Sequence, residues 1–303
     1  MRYTISFAIA SLVASSAFAE VPVVVTDIPP VHSLVAQVMG DLGTPELLLG
    51  RGADEHSFQL RPSQAASLND AGLVFWIGPE LTPWLERALE SVPATVRQVP
   101  LLDAAGTVTQ DYPEEPGTAE AEGGHDHGHD NIDPHAWLSP INAALWVDVI
   151  ATELSRVDPE NAATYTANAA TAIETIATAD AAARATLAPV SGKPIVVFHE
   201  AFGYFAASYK LTIAGAVAEG DASAPGAARL SALQDMVAAG GAVCLFPEVQ
   251  HDPALMMQIV EGSPARIGAA LDPVGASYDP GPGMYAALIT GMATVIATCL
   301  SDS

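Results

Sequence analysis

Short apolar runs alternate with amphipathic stretches along the first half of the chain. Pro22 to Thr26 (PVVVT) predicts a strand, Pro30 to Met39 a helix ended by Gly40, and Glu46 to Leu49 a second strand. A helix starts at Ser63 in the stretch Pro62 to Asn69, Leu73 to Ile77 (LVFWI) reads as a buried strand, and Pro83 to Glu90 returns to helix. Strands alternating with helices in this way predict a parallel-sheet α/β architecture.

The pattern changes at Pro140. From there to about Leu187 the chain is alanine-rich and helical, and between Ala151 and Leu187 it contains one proline, Pro159, and no glycine. A long helix after Asp158-Pro159 is expected, linking two lobes. Pro194 to Phe198 (PIVVF) opens a second α/β unit, with strands expected at Leu211 to Ala214, Ala242 to Phe246 and Arg266 to Leu271. Helices are expected at Ala201 to Tyr209, Arg229 to Ala239, Pro253 to Glu261 and Gly283 to Thr298. The expected layout is an N-terminal α/β lobe over residues 20–155, a linker helix over 156–188 and a C-terminal α/β lobe over 189–303, each lobe with a mostly parallel sheet and surrounding helices.

Residues 1–19 read as a secretory signal peptide: Arg2 supplies the positive end, Ile5 to Val13 the apolar run, and Ala17-Phe18-Ala19 the cleavage site. The apolar run is too short to span a bilayer, and no cysteine stands near the cleavage site to carry a lipid. A soluble exported protein, periplasmic and without a membrane anchor, is therefore expected. Thirty-five acidic against eleven basic residues give a formal net charge of −24. Such a surface repels nucleic acid and anionic lipid and attracts cations weakly. The acids concentrate between Asp111 and Asp133, where glycines and His125, His127 and His129 are interspersed and almost nothing apolar can be buried. This stretch reads as a surface loop. Its histidines offer either a low-affinity zinc antenna or a chaperone contact, against the plainer alternative of a solvated linker. The two cysteines, Cys244 and Cys299, favour a disulfide in an exported chain and lack the C-x-x-C spacing of a thiolate metal pair.

Of eight histidines, three stand where a chain can present a ligand. His56 lies in GADEHSFQLRPS between a strand and a helix, and His135 in NIDPHAWLSP just ahead of a helix. His199 lies in KPIVVFHEAFGYF at the carboxyl end of a buried strand. Ligands of open α/β sheets gather at the carboxyl ends of strands, so the three could converge on one cleft. Zinc suits imidazole nitrogen and takes four ligands. Spacing alone does not establish the site, since no short pair such as H-E-x-x-H is present. His32 and His251 read as structural. Glu200 suits the start of a helix, and Glu248 a supporting place beside a ligand histidine.

The segments GADEHSFQLRPS, VFWIGPEL, DPHAWLSP, VVFHEAFGYF, FPEVQ and LDPVG resemble the cluster A-I solute-binding proteins of metal ABC importers, most closely the zinc-specific, ZnuA-type branch. The resemblance runs from about Val21 to the C-terminus, and its E-H-x-(F/Y)-x-L-R-P-S and D-P-H-x-W motifs are specific in combination. It implies two α/β lobes joined by one long rigid linker helix, with Zn2+ bound between them by His56, His135 and His199. The fourth ligand would be Glu55 or water, with Asp272 of LDPVG as the rival by likeness to manganese-binding relatives. It also implies a Cys244–Cys299 disulfide and an ABC importer permease as partner of a monomer, a periplasmic zinc chaperone being a further candidate. No catalysis is expected. A secreted zinc hydrolase would need a nucleophile or ligand motif that the chain lacks, a manganese-binding homologue is disfavoured by three nitrogen ligands, and a surface adhesin by the missing anchor.

Overall fold

The computed structural model describes residues 21–50, 52–56, 58–113, 131–218 and 225–301. The expected secretory signal and His125, His127 and His129 lie outside the described residues.

Two four-stranded sheets form, and every pairing within them is parallel. The first joins β1 (Val24–Thr26), β2 (Glu46–Leu47), β3 (Leu73–Trp76) and β4 (Arg97–Pro100) in the order β2-β1-β3-β4. The second joins β5 (Pro194–Val197), β6 (Thr212–Ala216), β7 (Cys244–Phe246) and β8 (Arg266–Ile267) in the order β6-β5-β7-β8. The two orders are the same winding: the chain leaves the central strand outward, then crosses back to the other side. Each lobe thus has one point where adjacent connections part, between β1 and β3 and between β5 and β7, and these crevices are where such sheets bind ligands. The central strands VVT, LVFW and CLF are buried along their whole length, as sheets covered on both faces require.

β4 was not legible in the sequence. Its residues RQVP include only one fully buried position, and it forms because β3 offers it a full ladder from Leu73 to Trp76. β8 is shorter than expected, because Gly268 follows it; a Cβ there would stand 2.3 Å from the Phe246 ring, so backbone and ring pass in close contact. Pairing resumes as a single bridge between Glu248 and Leu271.

The helices are α1 (Pro29–Met39), α2 (Pro62–Asp70), α3 (Pro83–Leu89), α4 (Pro140–Val157), α5 (Ala162–Leu187), α6 (Gly203–Tyr209), α7 (Ala227–Ala238), α8 (Ala254–Val260) and α9 (Met284–Ser301). Asp158-Pro159 separates α4 from α5: proline cannot continue a helical ladder, and Asp158 Oδ2 accepts hydrogen bonds from Asn161 Nδ2 and the Tyr165 hydroxyl, each at 2.8 Å. The long helix therefore begins at Ala162 and runs 26 residues, about 39 Å at 1.5 Å per residue. Its buried stripe, Tyr165, Ala169, Ala172, Ile176, Ala179, Ala183 and Leu187, is mostly alanine. Small residues let α1, α4 and α9 approach it closely.

One apolar core is continuous from Val24 and Phe75 through Ile176 to Phe246 and Leu300, so it joins the inner faces of both sheets through α1, α4, α5 and α9. Separate clusters sit under the outer faces, one including Trp76, Trp84 and Leu85, the other Val196, Leu245 and Met256. α9 is long and apolar enough to cross a bilayer, yet it buries Tyr285, Leu288, Ile289, Met292, Ile296 and Leu300 in this shared core. A disulfide between Cys244 of β7 and Cys299 of α9 ties its end to the second sheet.

Closing a loop of this length by a disulfide stabilises a fold by roughly 4 kcal/mol in the chain-entropy view. The double variant Cys244→Ala, Cys299→Ala should lose stability of about that size in urea unfolding of the metal-free chain. A midpoint equal to that of the wild type would assign the disulfide no part in stability.

Candidate metal centre

Each side chain of interest projects from a segment that follows a strand's carboxyl end. His56 follows β2, His135 lies on the long connection after β4, and His199 and Glu248 follow β5 and β7 on the two sides of the second lobe's crevice. His56, His135 and His199 meet there. Their ring centroids lie 5.2 to 6.1 Å apart, and one ligand nitrogen from each falls within 4.8 Å of the others. His199 Nε2 stands 3.4 Å from His135 Nε2.

Two buried carboxylates set these rings. Asp133 Oδ1 accepts from the His135 backbone N–H at 3.0 Å and lies 2.8 Å from His135 Nδ1. Glu248 Oε1 accepts from the His199 backbone N–H at 3.1 Å, and its Oε2 lies 2.7 Å from His199 Nδ1. A carboxylate facing Nδ1 draws the ring proton to that nitrogen, which leaves an acceptor lone pair on Nε2. Both lone pairs then aim at the same point. Both carboxylates are held in turn. Gln110 donates from Nε2 to Asp133 Oδ2 at 3.0 Å, and the Tyr204 hydroxyl donates to the Asp133 carbonyl at 2.8 Å. Glu248 is fixed by its bridge to Leu271.

Asp133 corrects a reading from sequence: at 2 % exposure it belongs to the site and not to the surface loop expected over Asp111 to Asp133. Its position two residues before His135 in D-P-H was the available signal. Glu248 supports His199 as expected, although 49 positions separate them. Glu200 instead faces Arg229, 3.4 Å from its Nη2. His32 is buried, with Nε2 3.2 Å from the Pro45 carbonyl.

The loop that carries His56 is shaped locally. Asp54 Oδ1 accepts from the His56 backbone N–H at 2.9 Å, and Trp84 Nε1 donates to the Glu55 carbonyl at 2.7 Å. Gln250 reaches across from the second lobe and donates to the Ala53 carbonyl at 2.6 Å, with Glu55 Oε2 3.5 Å from the same nitrogen. Glu55 is 3 % exposed and its Oε1 lies 3.7 Å from His56 Nε2. Burial pushes its carboxyl up to about 7, against the opposing pull of the nearby imidazoles of His199 and His135. Asp272, the rival, turns both oxygens to its own loop, accepting from the backbone N–H groups of Ala276 and Ser277 at 2.9 and 2.8 Å and from the Ser277 hydroxyl.

The family model described as ZnuA, zinc-uptake complex component A, periplasmic, matches residues 24–299. The chain is similar to the high-affinity zinc uptake system protein ZnuA of Paracoccus denitrificans, with 50 % identity over 93 % of each chain. The protein of the same name from Brucella suis biovar 1 is 33 % identical, over 92 % of this chain and 91 % of the other. Among solved structures, a ZnuA crystal structure superposes with a TM-score of 0.76 at 26 % identity, covering 92 % of this chain and 99 % of the other. The chain belongs to the ZnuA family of periplasmic zinc-uptake components.

Proposed function

We propose that the chain captures one Zn2+ ion between its lobes with His56, His135 and His199 and delivers it in the periplasm to the permease of an ABC importer. One observation carries this reading. Zinc holds nitrogen ligands at ~2.0–2.1 Å in a tetrahedral arrangement, which puts neighbouring nitrogens about 3.3 Å apart. His135 and His199 present Nε2 atoms 3.4 Å apart, each with a buried carboxylate on the opposite nitrogen. Two imidazole lone pairs facing each other at that distance repel unless a cation or a proton lies between them. Three nitrogens favour zinc over the harder, oxygen-preferring manganese ion.

Glu55 is the fourth ligand in this reading, because it is buried with Oε1 3.7 Å from His56 Nε2, whereas Asp272 accepts three hydrogen bonds within its own loop. His125, His127 and His129 act as an antenna that raises the local zinc concentration, and a zinc chaperone loads the protein. The chain works as a monomer.

Zinc titration with elemental analysis tests the site: one ion per chain is expected, and none bound tightly would end the proposal. His135→Ala and His199→Ala should weaken binding far more than deletion of 123–129, and equal losses would merge centre and antenna. Asp133→Asn and Glu248→Gln keep an acceptor oxygen but remove the charge that polarises each ring. Affinity should fall by about 10–100-fold in each, with the stoichiometry unchanged.

Acid should release the ion, because zinc binds only the deprotonated ring and protons compete for the same nitrogens. Glu55 adds a term of defined sign. Burial raises its carboxyl to about 7, so in the empty protein it takes up a proton at a higher pH than an exposed carboxylate does, and ligation must expel that proton. Calorimetry at about pH 6.5 in buffers of different ionisation enthalpy should therefore count fewer protons released by Glu55→Gln than by the wild type. An equal count, together with weak binding by Asp272→Ala, would transfer the fourth position to Asp272.

A further inference from the structure

On the side of His199 facing away from the centre, a second group of metal-ligating side chains comes together: His199, Glu248 and His251, with one ligand atom from each within 4.8 Å of the others. Glu248 Oε2 lies 2.7 Å from His199 Nδ1 and 3.9 Å from His251 Nε2. The two partners differ in exposure. Glu248's side chain is 1 % exposed, whereas that of His251 is 37 % exposed. The His251 ring is also held in place, stacked on Phe198 with centroids 4.2 Å apart and planes inclined by 15°. That stack keeps an exposed imidazole turned toward a buried carboxylate.

A carboxylate offers about four lone-pair positions. The two N–H groups of His199 leave Glu248 Oε2 able to accept a cation on the His251 side. Two ligands of one tetrahedral zinc ion stand about 3.3 Å apart, so the 3.9 Å gap closes with a small movement of the exposed ring. With two protein ligands and water in the remaining positions, such a site would be weak. The rings of the central site are far less accessible: the side chains of His135, His199 and His56 are 0 %, 7 % and 13 % exposed. A hydrated ion cannot reach three buried nitrogens at once. It can lose water stepwise where one ligand is exposed and the next is buried.

We propose that Glu248 and His251 form a solvent-facing zinc site that relays the ion to and from the buried three-histidine centre. Glu248 couples the two positions. While its Oε2 holds the ion, its Oε1 stays 2.8 Å from His199 Nδ1 and keeps that ring in place; once the ion has moved inward, Oε2 returns to His199 as well. The relay is empty when the centre is filled and when the protein is metal-free. It therefore lowers the barrier equally in both directions and leaves the equilibrium affinity alone. The inference rests on the central site being a zinc site.

The test uses the full mature chain, with His251→Ala and His251→Gln compared against wild type. Zinc is added in a stopped-flow mixer, then withdrawn by an excess of a chromogenic chelator, and affinity is measured by competition at equilibrium. Association and withdrawal should both slow by about tenfold in each variant, with the dissociation constant unchanged. Rates equal to wild type would overturn the relay. Faster withdrawal with weaker affinity would place His251 in the final complex and overturn it as well. Wild-type protein that fails to hold zinc would instead overturn the central site itself.

Discussion

Two buried imidazole–carboxylate pairs, one from each side of the cleft, govern the chemistry of this protein. Asp133 orients His135 and Glu248 orients His199, and in each pair the same carboxylate also accepts the ligand residue's own backbone N–H. Ring position and tautomer are thus fixed by a single group. The consequence is an arrangement with its lone pairs in opposition, two Nε2 atoms 3.4 Å apart in a region from which water is largely excluded. Two ring nitrogens at that distance need a proton or a cation between them. Affinity arises from what the fold withholds from these nitrogens as much as from what it supplies.

Such opposition persists only if the lobes cannot drift apart. The shared core provides that restraint: α5 and α9 bury apolar faces that belong to both halves, and Trp137, two residues beyond His135, donates from Nε1 to the Pro273 carbonyl at 2.8 Å. Tyr285 of α9 donates from its hydroxyl to the Trp137 carbonyl at 2.8 Å. Separating the lobes would expose this core, so capture and release fall to smaller movements. Gln250 and Trp84 both reach the loop that carries Glu55 and His56, donating to the Ala53 and Glu55 carbonyls, and Gln250 Nε2 also stands 3.5 Å from Glu55 Oε2. On the second lobe's side, Gln250 stands two residues beyond Glu248, which pairs with Leu271 in an isolated parallel bridge.

How much of this could be read in the sequence followed from the range of the interaction concerned. Strands such as LVFW and PIVV announce themselves, because parallel strands covered on both faces must be apolar throughout. The break at Asp158-Pro159 was equally local. β4 was not, since RQVP becomes a strand only through its neighbour. The three histidines were recognisable by the motifs around them, not by spacing. Asp133 was concealed by the run of acids before it in the sequence, although its place in D-P-H was a signal, and the structure buries it. Gln250 entered only as the last residue of FPEVQ and His251 only as a structural histidine, because their contacts, Ala53 and Phe198, are distant in the chain.

The two lobes share one winding but use their crevices differently. In the first, Asp27 stands directly after β1 and is fully buried, accepting from the backbone N–H groups of Ile28 and Ile77 at 2.7 and 2.8 Å. It ties the ends of β1 and β3 together at the crevice between them. Burial pushes its carboxyl up to about 7, against the pull of those two backbone donors. In the second lobe the corresponding tie runs the other way, from Glu248 after β7 to the His199 backbone after β5, and the imidazole at that point extends the tie into the cleft. A carboxylate alone closes one crevice; a carboxylate carrying an imidazole opens the other to a cation. The first lobe then contributes its histidines from the flank, on the connections after β2 and β4, so that all three rings meet beside the second lobe's crevice.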